Sequence, residues 1–217
     1  NNLGIALKEQ GKLNEAEANY RQAVELKIDY AEAHNNLGVT LKESERLDDA
    51  EANFTQAIAL KPDYAHAYYN LGFTLHELGR LNDAEASYNR TIALKPDNAH
   101  AHNNLGIALK EQGKLNEAEA SYRQAVKLKT EYAEARNNLG VTLKEQRKLH
   151  EAEASYRQAT TLKPDYAEAY YNLGITLKEQ GRLHEAEASY KQAITLKPDY
   201  AEAHNNLGIT LQEVGCA

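Results

Sequence analysis

Residues 31–64 read AEAHNNLGVTLKESERLDDAEANFTQAIALKPDY, and the same pattern returns along the whole chain. Its fixed point is Leu37-Gly38, which recurs as Leu3-Gly4, Leu71-Gly72, Leu105-Gly106, Leu139-Gly140, Leu173-Gly174 and Leu207-Gly208, a period of 34 residues. Within the stretch, Ala33, Leu37, Thr40, Leu41 and Ser44 fall on one stripe at about 100° per residue, which predicts a first helix. Leu47, Ala50, Phe54, Ala57 and Ile58 form a second apolar face, which predicts a helix packed back on the first. One hairpin of this size cannot bury its apolar side alone. Each must cover its neighbour, so the series is expected to grow as an open stack.

The punctuation repeats with the pattern. Gly11, Gly79, Gly113, Gly181 and Gly215 follow first helices, where glycine takes the left-handed conformation that closes a helix C-terminus. Pro62, Pro96, Pro164 and Pro198 are expected to end second helices by withholding a backbone donor, and Asp63, Asp97, Asp165 and Asp199 to cap the next first helix. Asn14, Asp48, Asn82 and Asn116 stand three residues before Glu17, Glu51, Glu85 and Glu119, the spacing of a capping box at the start of the second helix. Gly38 is expected to face Ala50 and Ala57 where the two helices cross. The chain is read as one domain, 1–217, with full units 31–64, 65–98, 99–132, 133–166 and 167–200 and partial units 1–30 and 201–217.

Lys and Arg total 25 against 32 Asp and Glu, a net charge of -7, which argues against nucleic acid or an anionic membrane as partner. No apolar run approaches the roughly 18 residues of a membrane span, and no secretory signal is present. A soluble chain is expected. Its compartment is left open, with the cytoplasm ahead of the exterior. Cys216 is the sole cysteine and allows no internal disulfide. The absence of methionine and a start partway through a repeat suggest a segment of a longer protein.

Catalytic motifs are missing. There is no glycine-rich phosphate loop or nucleophile elbow, and His76-Glu77, His150-Glu151 and His184-Glu185 each lack the second histidine of a zinc helix. His66, His100 and His102 fall about one helix width apart, too far to share an ion. No catalytic residue, metal site or cofactor is expected. The sequons at Asn53-Phe54-Thr55 and Asn89-Arg90-Thr91 fall within second helices and are read as chance.

The spacing Leu37-Gly38, Leu41, Ala50, Phe54, Ala57, Pro62 resembles the tetratricopeptide repeat (TPR), over the entire chain. The resemblance implies an all-α fold, a right-handed α-solenoid (superhelix) of tandem 34-residue helix-turn-helix units. Where the family often has tryptophan near the start of the first helix, this chain has His34, Tyr68, His102, Arg136, Tyr170 and His204.

A longer period underlies the short one: residues 1–30 match 103–132 at 26 of 30 places, so the copied block is 102 residues. The departures follow it. Proline is missing at Ile28 and Thr130, the turn glycine at Glu45 and Arg147, and paired tyrosines occur at Tyr68-Tyr69 and Tyr170-Tyr171. Duplication without selection explains this, and so does a surface that repeats every third unit to meet a repeating partner.

Asn2, Asn36, Asn70, Asn104, Asn138, Asn172 and Asn206 recur without exception, although asparagine is a poor residue inside a helix. Glu32, Asn36, Val39 and Glu43 form a stripe about 115° from the core stripe. In tetratricopeptide superhelices this face lines the concave groove. The chain is most similar to the tetratricopeptide arms of O-linked N-acetylglucosamine transferases, in which an asparagine ladder holds extended peptides by their backbone. That resemblance implies a peptide-binding set of the seven asparagines, with Asn35, Tyr69, Asn103, Asn137 and Tyr171 beside them. Val39, Phe73, Ile107, Val141 and Ile175 form an apolar row next to the ladder, continued by Ile5 and Ile209. Glu9, Glu43, Glu77, Glu111, Glu145, Glu179 and Glu213 lie beyond it, an edge suited to an amphipathic or basic peptide.

An amide offers a donor and an acceptor to one peptide group. Rungs ~10 Å apart would meet an extended chain about every third residue at ~3.3 Å rise. The alternative is that the asparagines bond between neighbouring helices and set the superhelical pitch, with the apolar row packed between adjacent first helices. Chaperone-binding relatives clamp a carboxylate with basic residues, and here those places hold asparagine, tyrosine and aliphatics. Three roles fit these features: a non-catalytic scaffold for a protein or peptide ligand, the substrate-recruiting arm of a larger transferase, or a subunit that self-associates end to end into a filament.

Overall fold

The computed structural model describes residues 1–215, which form thirteen α-helices and no strand. Cys216 lies outside the described residues. In chain order the helices are α1 (Asn2–Glu9), α2 (Leu13–Leu26), α3 (Ala31–Glu43), α4 (Leu47–Leu60), α5 (Ala65–Glu77), α6 (Leu81–Leu94), α7 (Ala99–Glu111), α8 (Leu115–Leu128), α9 (Ala133–Glu145), α10 (Leu149–Leu162), α11 (Ala167–Glu179), α12 (Leu183–Leu196) and α13 (Ala201–Gly215). They fall into two compact units, α1 to α7 within Asn1–Gln112 and α8 to α13 from Gly113 onward.

Each hairpin is organised by a glycine and a ring. A Cβ on Gly38 would lie 2.7 Å from the Phe54 ring, and one on Gly72 would lie 2.8 Å from Tyr88. In the second unit Gly140 meets Tyr156 and Gly174 meets Tyr190 in the same way. The partner of Gly38 is therefore the Phe54 ring, with Ala50 and Ala57 buried one turn to either side of it. Phe54 and the five tyrosines at its position are buried to 0–1% exposure, each contributing about 2–3 kcal/mol of apolar burial. Neighbouring hairpins share this core: Leu7, Ala16 and Tyr20 join Leu37, Leu41, Ala50 and Phe54 in one cluster, with Val39 and Leu71 packed against it.

The turns obey a position rather than a residue. Gly11, Gly79, Gly113 and Gly181 take φ of +73 to +78°, and Glu45 and Arg147 adopt the same conformation at 60° and 64°. The closing bonds form regardless, with Glu45 N–H donating to Lys42 O and Arg46 N–H to Leu41 O, both at 2.9 Å. Gly215, by contrast, is the last residue of α13.

Several expected caps are not there. The second helices begin at leucine, with Lys12, Arg46, Arg80, Lys114, Lys148 and Arg182 in the cap position and no side-chain cap bond. Asn14, Asp48, Asn82 and Asn116 therefore sit one residue inside the helix. The glutamates reach instead to the following hairpin: Glu17 accepts from Arg46 at 2.9 Å, Glu51 from Arg80 at 2.8 Å, Glu119 from Lys148 at 2.7 Å and Glu153 from Arg182 at 2.6 Å. Burial raises the Glu17 and Glu153 carboxyls, but the bonds from these arginines and from Arg21 and Arg157 outweigh it and hold both below the usual range.

The first helices α5, α7 and α11 are capped by Tyr64, Asn98 and Tyr166, not by the preceding aspartates. Asn98 alone of these uses its side chain, accepting from Ala101 N–H at 3.0 Å. Proline is also dispensable as a stop. The helices before Ile28 and Thr130 end at the same leucine as those before proline, because Lys27, Lys61, Lys129 and Lys163 all leave the helical region, with φ of -129 to -141° and ψ of 86 to 94°. In these turns a lysine ammonium lies 4.7–5.0 Å from a tyrosine ring, as at Lys61 and Tyr64, a contact worth about 0.5–1 kcal/mol at an exposed site.

Candidate functional site

Five ladder asparagines are tied to the preceding first helix of their own unit or to its cap residue. In the first unit Asn36 Nδ2 donates to Asn1 Oδ1 at 3.0 Å, Asn70 Nδ2 to Asn35 Oδ1 at 3.0 Å, and Asn104 Nδ2 to the Tyr69 hydroxyl at 3.1 Å. In the second unit Asn172 donates to Asn137 Oδ1 at 3.1 Å and Asn206 to the Tyr171 hydroxyl at 3.2 Å. Each bond joins residues 35 apart. The acceptor follows the 102-residue block: an amide at Asn35 and Asn137, a phenol at Tyr69 and Tyr171.

The two kinds of flanking residue differ in access. Asn35, Asn103 and Asn137 are buried to 5–7% exposure, whereas Tyr69 and Tyr171 are half-buried. The buried amides use their own N–H groups inward: Asn35 donates to Asn36 Oδ1 at 3.5 Å, and Asn103 to Asn104 Oδ1 at 3.2 Å. Asn137 also bonds the Tyr166 phenol. Burial pushes that phenol up to about 12 despite the bond. The tyrosine acceptors lean on the hairpin ring instead, Tyr69 on Tyr88 and Tyr171 on Tyr190, with centroids 6.1 Å apart in both.

The asparagines themselves, Asn36, Asn70, Asn104, Asn138, Asn172 and Asn206, are half-buried, and Asn2 is exposed. A carboxamide has capacity for four hydrogen bonds, so the single rung bond of Asn70 leaves most of its capacity for another partner. A threonine one turn on, absent from the sequence-based site, supports five of the rungs: Thr40, Thr74, Thr142, Thr176 and Thr210 donate to the asparagine's backbone carbonyl at 2.7–3.0 Å, while Ala6 and Ala108 hold that place after Asn2 and Asn104.

Val39, Phe73, Ile107, Val141 and Ile175 are half-buried. Val39 packs on the core cluster, and Phe73 lies under the Lys42 ammonium at 4.2 Å. The preceding first helix meets the carboxylate edge, with the Lys8 ammonium 3.0 Å from Glu43 and the Lys178 ammonium 2.9 Å from Glu213 as ion pairs, and His76 Nε2 2.9 Å from Glu111. Burial and the Lys95 ammonium, 3.3 Å from its Nε2, hold the His66 imidazole below the usual range. Among the described residues no group of three or more His, Cys, Asp or Glu has the arrangement of a metal site, and no helix is long and apolar enough to cross a membrane.

A model of the TPR repeat matches residues 4–44, 108–147, 144–181 and 176–215, and a tetratricopeptide repeat model matches 41–106. The chain belongs to the tetratricopeptide repeat family. Among solved structures similar to this TPR chain is YrrB, a TPR protein with an unusual peptide-binding site. It is 25% identical, with 86% of this chain and 96% of that one covered and a TM-score of 0.73. A thermophilic TPR protein of Thermus thermophilus is 26% identical over 84% of this chain and 99% of its own, with a TM-score of 0.62. PilF of Pseudomonas aeruginosa, 20% identical over 94% and 93% with a TM-score of 0.82, shares the fold. Among curated proteins none matches. The TPR family and these neighbours make the chain a protein-interaction scaffold, of a kind that is generally non-catalytic.

Proposed function

We propose that each unit of this TPR scaffold holds an extended peptide along its first helices, with Asn36, Asn70 and Asn104 in the first unit, and Asn138, Asn172 and Asn206 in the second, gripping a guest's backbone. The observation that carries this is the geometry of Asn70. Its amide is fixed by a bond to Asn35 yet stays half-buried, with unused donor and acceptor capacity. Anchoring and recognition are then two uses of one side chain. The cost of ordering the amide is met by folding before a ligand arrives, which favours binding.

Each peptide bond would add only about 0.5–1.5 kcal/mol net, so affinity rises with the number of rungs engaged and depends little on guest sequence. Half-buried Phe73, Ile107 and Ile175 would give apolar side chains a footing. The peptide-binding site of the similar YrrB, a property of that protein, is consistent with this use of the fold.

An array of random dodecapeptides tests the reading. Wild-type protein is expected to retain many unrelated sequences, and the Asn104→Ala, Asn138→Ala double variant to lose most of them while its circular dichroism stays helical. Equal retention by a folded double variant would exclude the ladder.

A further inference from the structure

Three hollows of about 370, 330 and 580 Å³ adjoin one another between α8, α10 and α12 of the second unit. The first two share Arg136 and Gln158, and the last two share Arg157 and Thr161, so they form one trough. Its floor is aliphatic, with half-buried Val126 and exposed Leu162 over the buried Leu139, Leu143 and Leu173, and its walls carry four cations, Arg123, Lys127, Arg136 and Arg157, against the single carboxylate of Glu151.

Two of these cations, Arg136 and Lys127, make no ion pair among the described residues. Arg123 pairs with Glu119 and Glu151, and Arg157 with Glu153 and Glu185. Arg136 donates only to neutral groups: Nε and Nη2 to the Thr130 carbonyl at 3.3 and 3.0 Å, and Nη1 to Gln158 Oε1. An oriented guanidinium beside an apolar floor is suited to a carboxylate, which it meets through two parallel bonds.

The first copy shows that the fold does not need these charges. One block earlier, Glu25, His34, Thr55 and Ala59 stand where Lys127, Arg136, Arg157 and Thr161 stand here, while Arg21, Leu37, Leu41 and Gln56 match Arg123, Leu139, Leu143 and Gln158. The helices α2, α3 and α4 have the same lengths as α8, α9 and α10. The floor is kept and the rim has turned basic.

We infer that this trough binds an acidic peptide segment of a partner protein, with carboxylates on Arg136 and Lys127 and an apolar side chain on Val126 and Leu162. The aliphatic floor and the glutamates flanking Arg123 and Arg157 disfavour a polyphosphate chain. The site is separate from the ladder, because Arg136 and Asn138 are two residues apart on α9, about 200° around the helix.

The test is fluorescence anisotropy with the full chain and a labelled dodecapeptide of Asp and Glu interrupted by two leucines. The same peptide with Lys for each acid and a single-stranded oligonucleotide serve as competitors. Binding of the acidic peptide is expected to weaken with salt and to fall by about tenfold or more in the Lys127→Glu, Arg136→His, Arg157→Thr variant, whose new residues are already accommodated in the first copy. The carboxylates that edge the ladder repel this peptide, so the Asn104→Ala, Asn138→Ala variant should bind it as wild type does. The reciprocal Glu25→Lys, His34→Arg, Thr55→Arg variant should gain a second site. No binding of the acidic peptide, equal binding by the triple variant, or stronger competition by the lysine peptide or the oligonucleotide would overturn the inference.

Discussion

Hairpin α3–α4 and hairpin α5–α6 share one backbone plan and solve it with different chemistry. Both put a glycine against a buried ring, Gly38 on Phe54 and Gly72 on Tyr88. At the rung, α3 supplies the buried amide of Asn35 and α5 the phenol of Tyr69. At the turn, one uses Glu45 with φ of 60° and the other Gly79 with φ of 73°. The second member of each rung, Asn70 or Asn104, never changes. What the fold constrains is a donor of fixed reach, and any acceptor that the preceding helix can bring to it will serve.

Four sets of variants would sharpen or break that comparison. The glycine-ring contact is common to both hairpins, so Gly38→Ala and Gly72→Ala should each lower stability by about 1–3 kcal/mol through overpacking, as read by urea unfolding. Gly208→Ala in α13, where no atom beyond the surrounding helix backbone lies within 4 Å of the added carbon, should cost nothing. A Gly72 variant as stable as wild type would remove the shared plan.

The rungs should then separate. Asn35→Ala takes a buried amide from Asn70 and is expected to cost about 1–3 kcal/mol, whereas Tyr69→Phe keeps the ring on Tyr88 and loses only the bond to Asn104, about 0.5–1.5 kcal/mol. A double-mutant cycle between Tyr69→Phe and Asn104→Ala should return the smaller figure as coupling. Zero coupling would mean that the phenol bond adds nothing.

At the turns the signs should be opposite. Gly79→Ala forces a side chain into the left-handed region and should cost about 1 kcal/mol, while Glu45→Gly relieves that strain and should gain up to about 1 kcal/mol. The thermal midpoint of each variant is the readout.

The smallest effect at neutral pH is the most selective. Burial raises the Tyr69 and Tyr88 phenols above their usual value, in Tyr69 against the lowering bond from Asn104. A raised folded pKa means that the neutral phenol is preferred in the fold, so this stability is complete below pH ~10 and is lost as pH climbs beyond it. Asn35 and Phe54 do not titrate. Tyr69→Phe with Tyr88→Phe should therefore flatten the alkaline loss of stability, and an unchanged slope would contradict the assignment.

Much of this was legible in the sequence. Leu37, Gly38, Ala50 and Phe54 announce the hairpin because a helix repeats its contacts every three or four residues, within one reading window. The asparagine row is equally plain, since only position in the repeat is needed to find it. What escaped has its partner one hairpin away. Glu17 looks like a capping residue in a local window, and its bond to Arg46 depends on how the next hairpin lies. Asn35 gives no sign in its own surroundings that Asn70, 35 residues on, will donate to it. The basic trough emerges only when the two copies are compared position by position, because each of its residues alone is an ordinary surface charge.

The central claim is that fixed carboxamides hold a guest by its main chain. The most direct test is to take one dodecapeptide selected by the wild-type protein and measure its affinity by calorimetry, intact and with alternate backbone nitrogens methylated. Methylation that removes the N–H groups facing the ladder should weaken binding by about tenfold or more, while permuting the peptide's side chains changes it little. Undiminished binding of the methylated peptide, or strict dependence on side-chain order, would contradict the account.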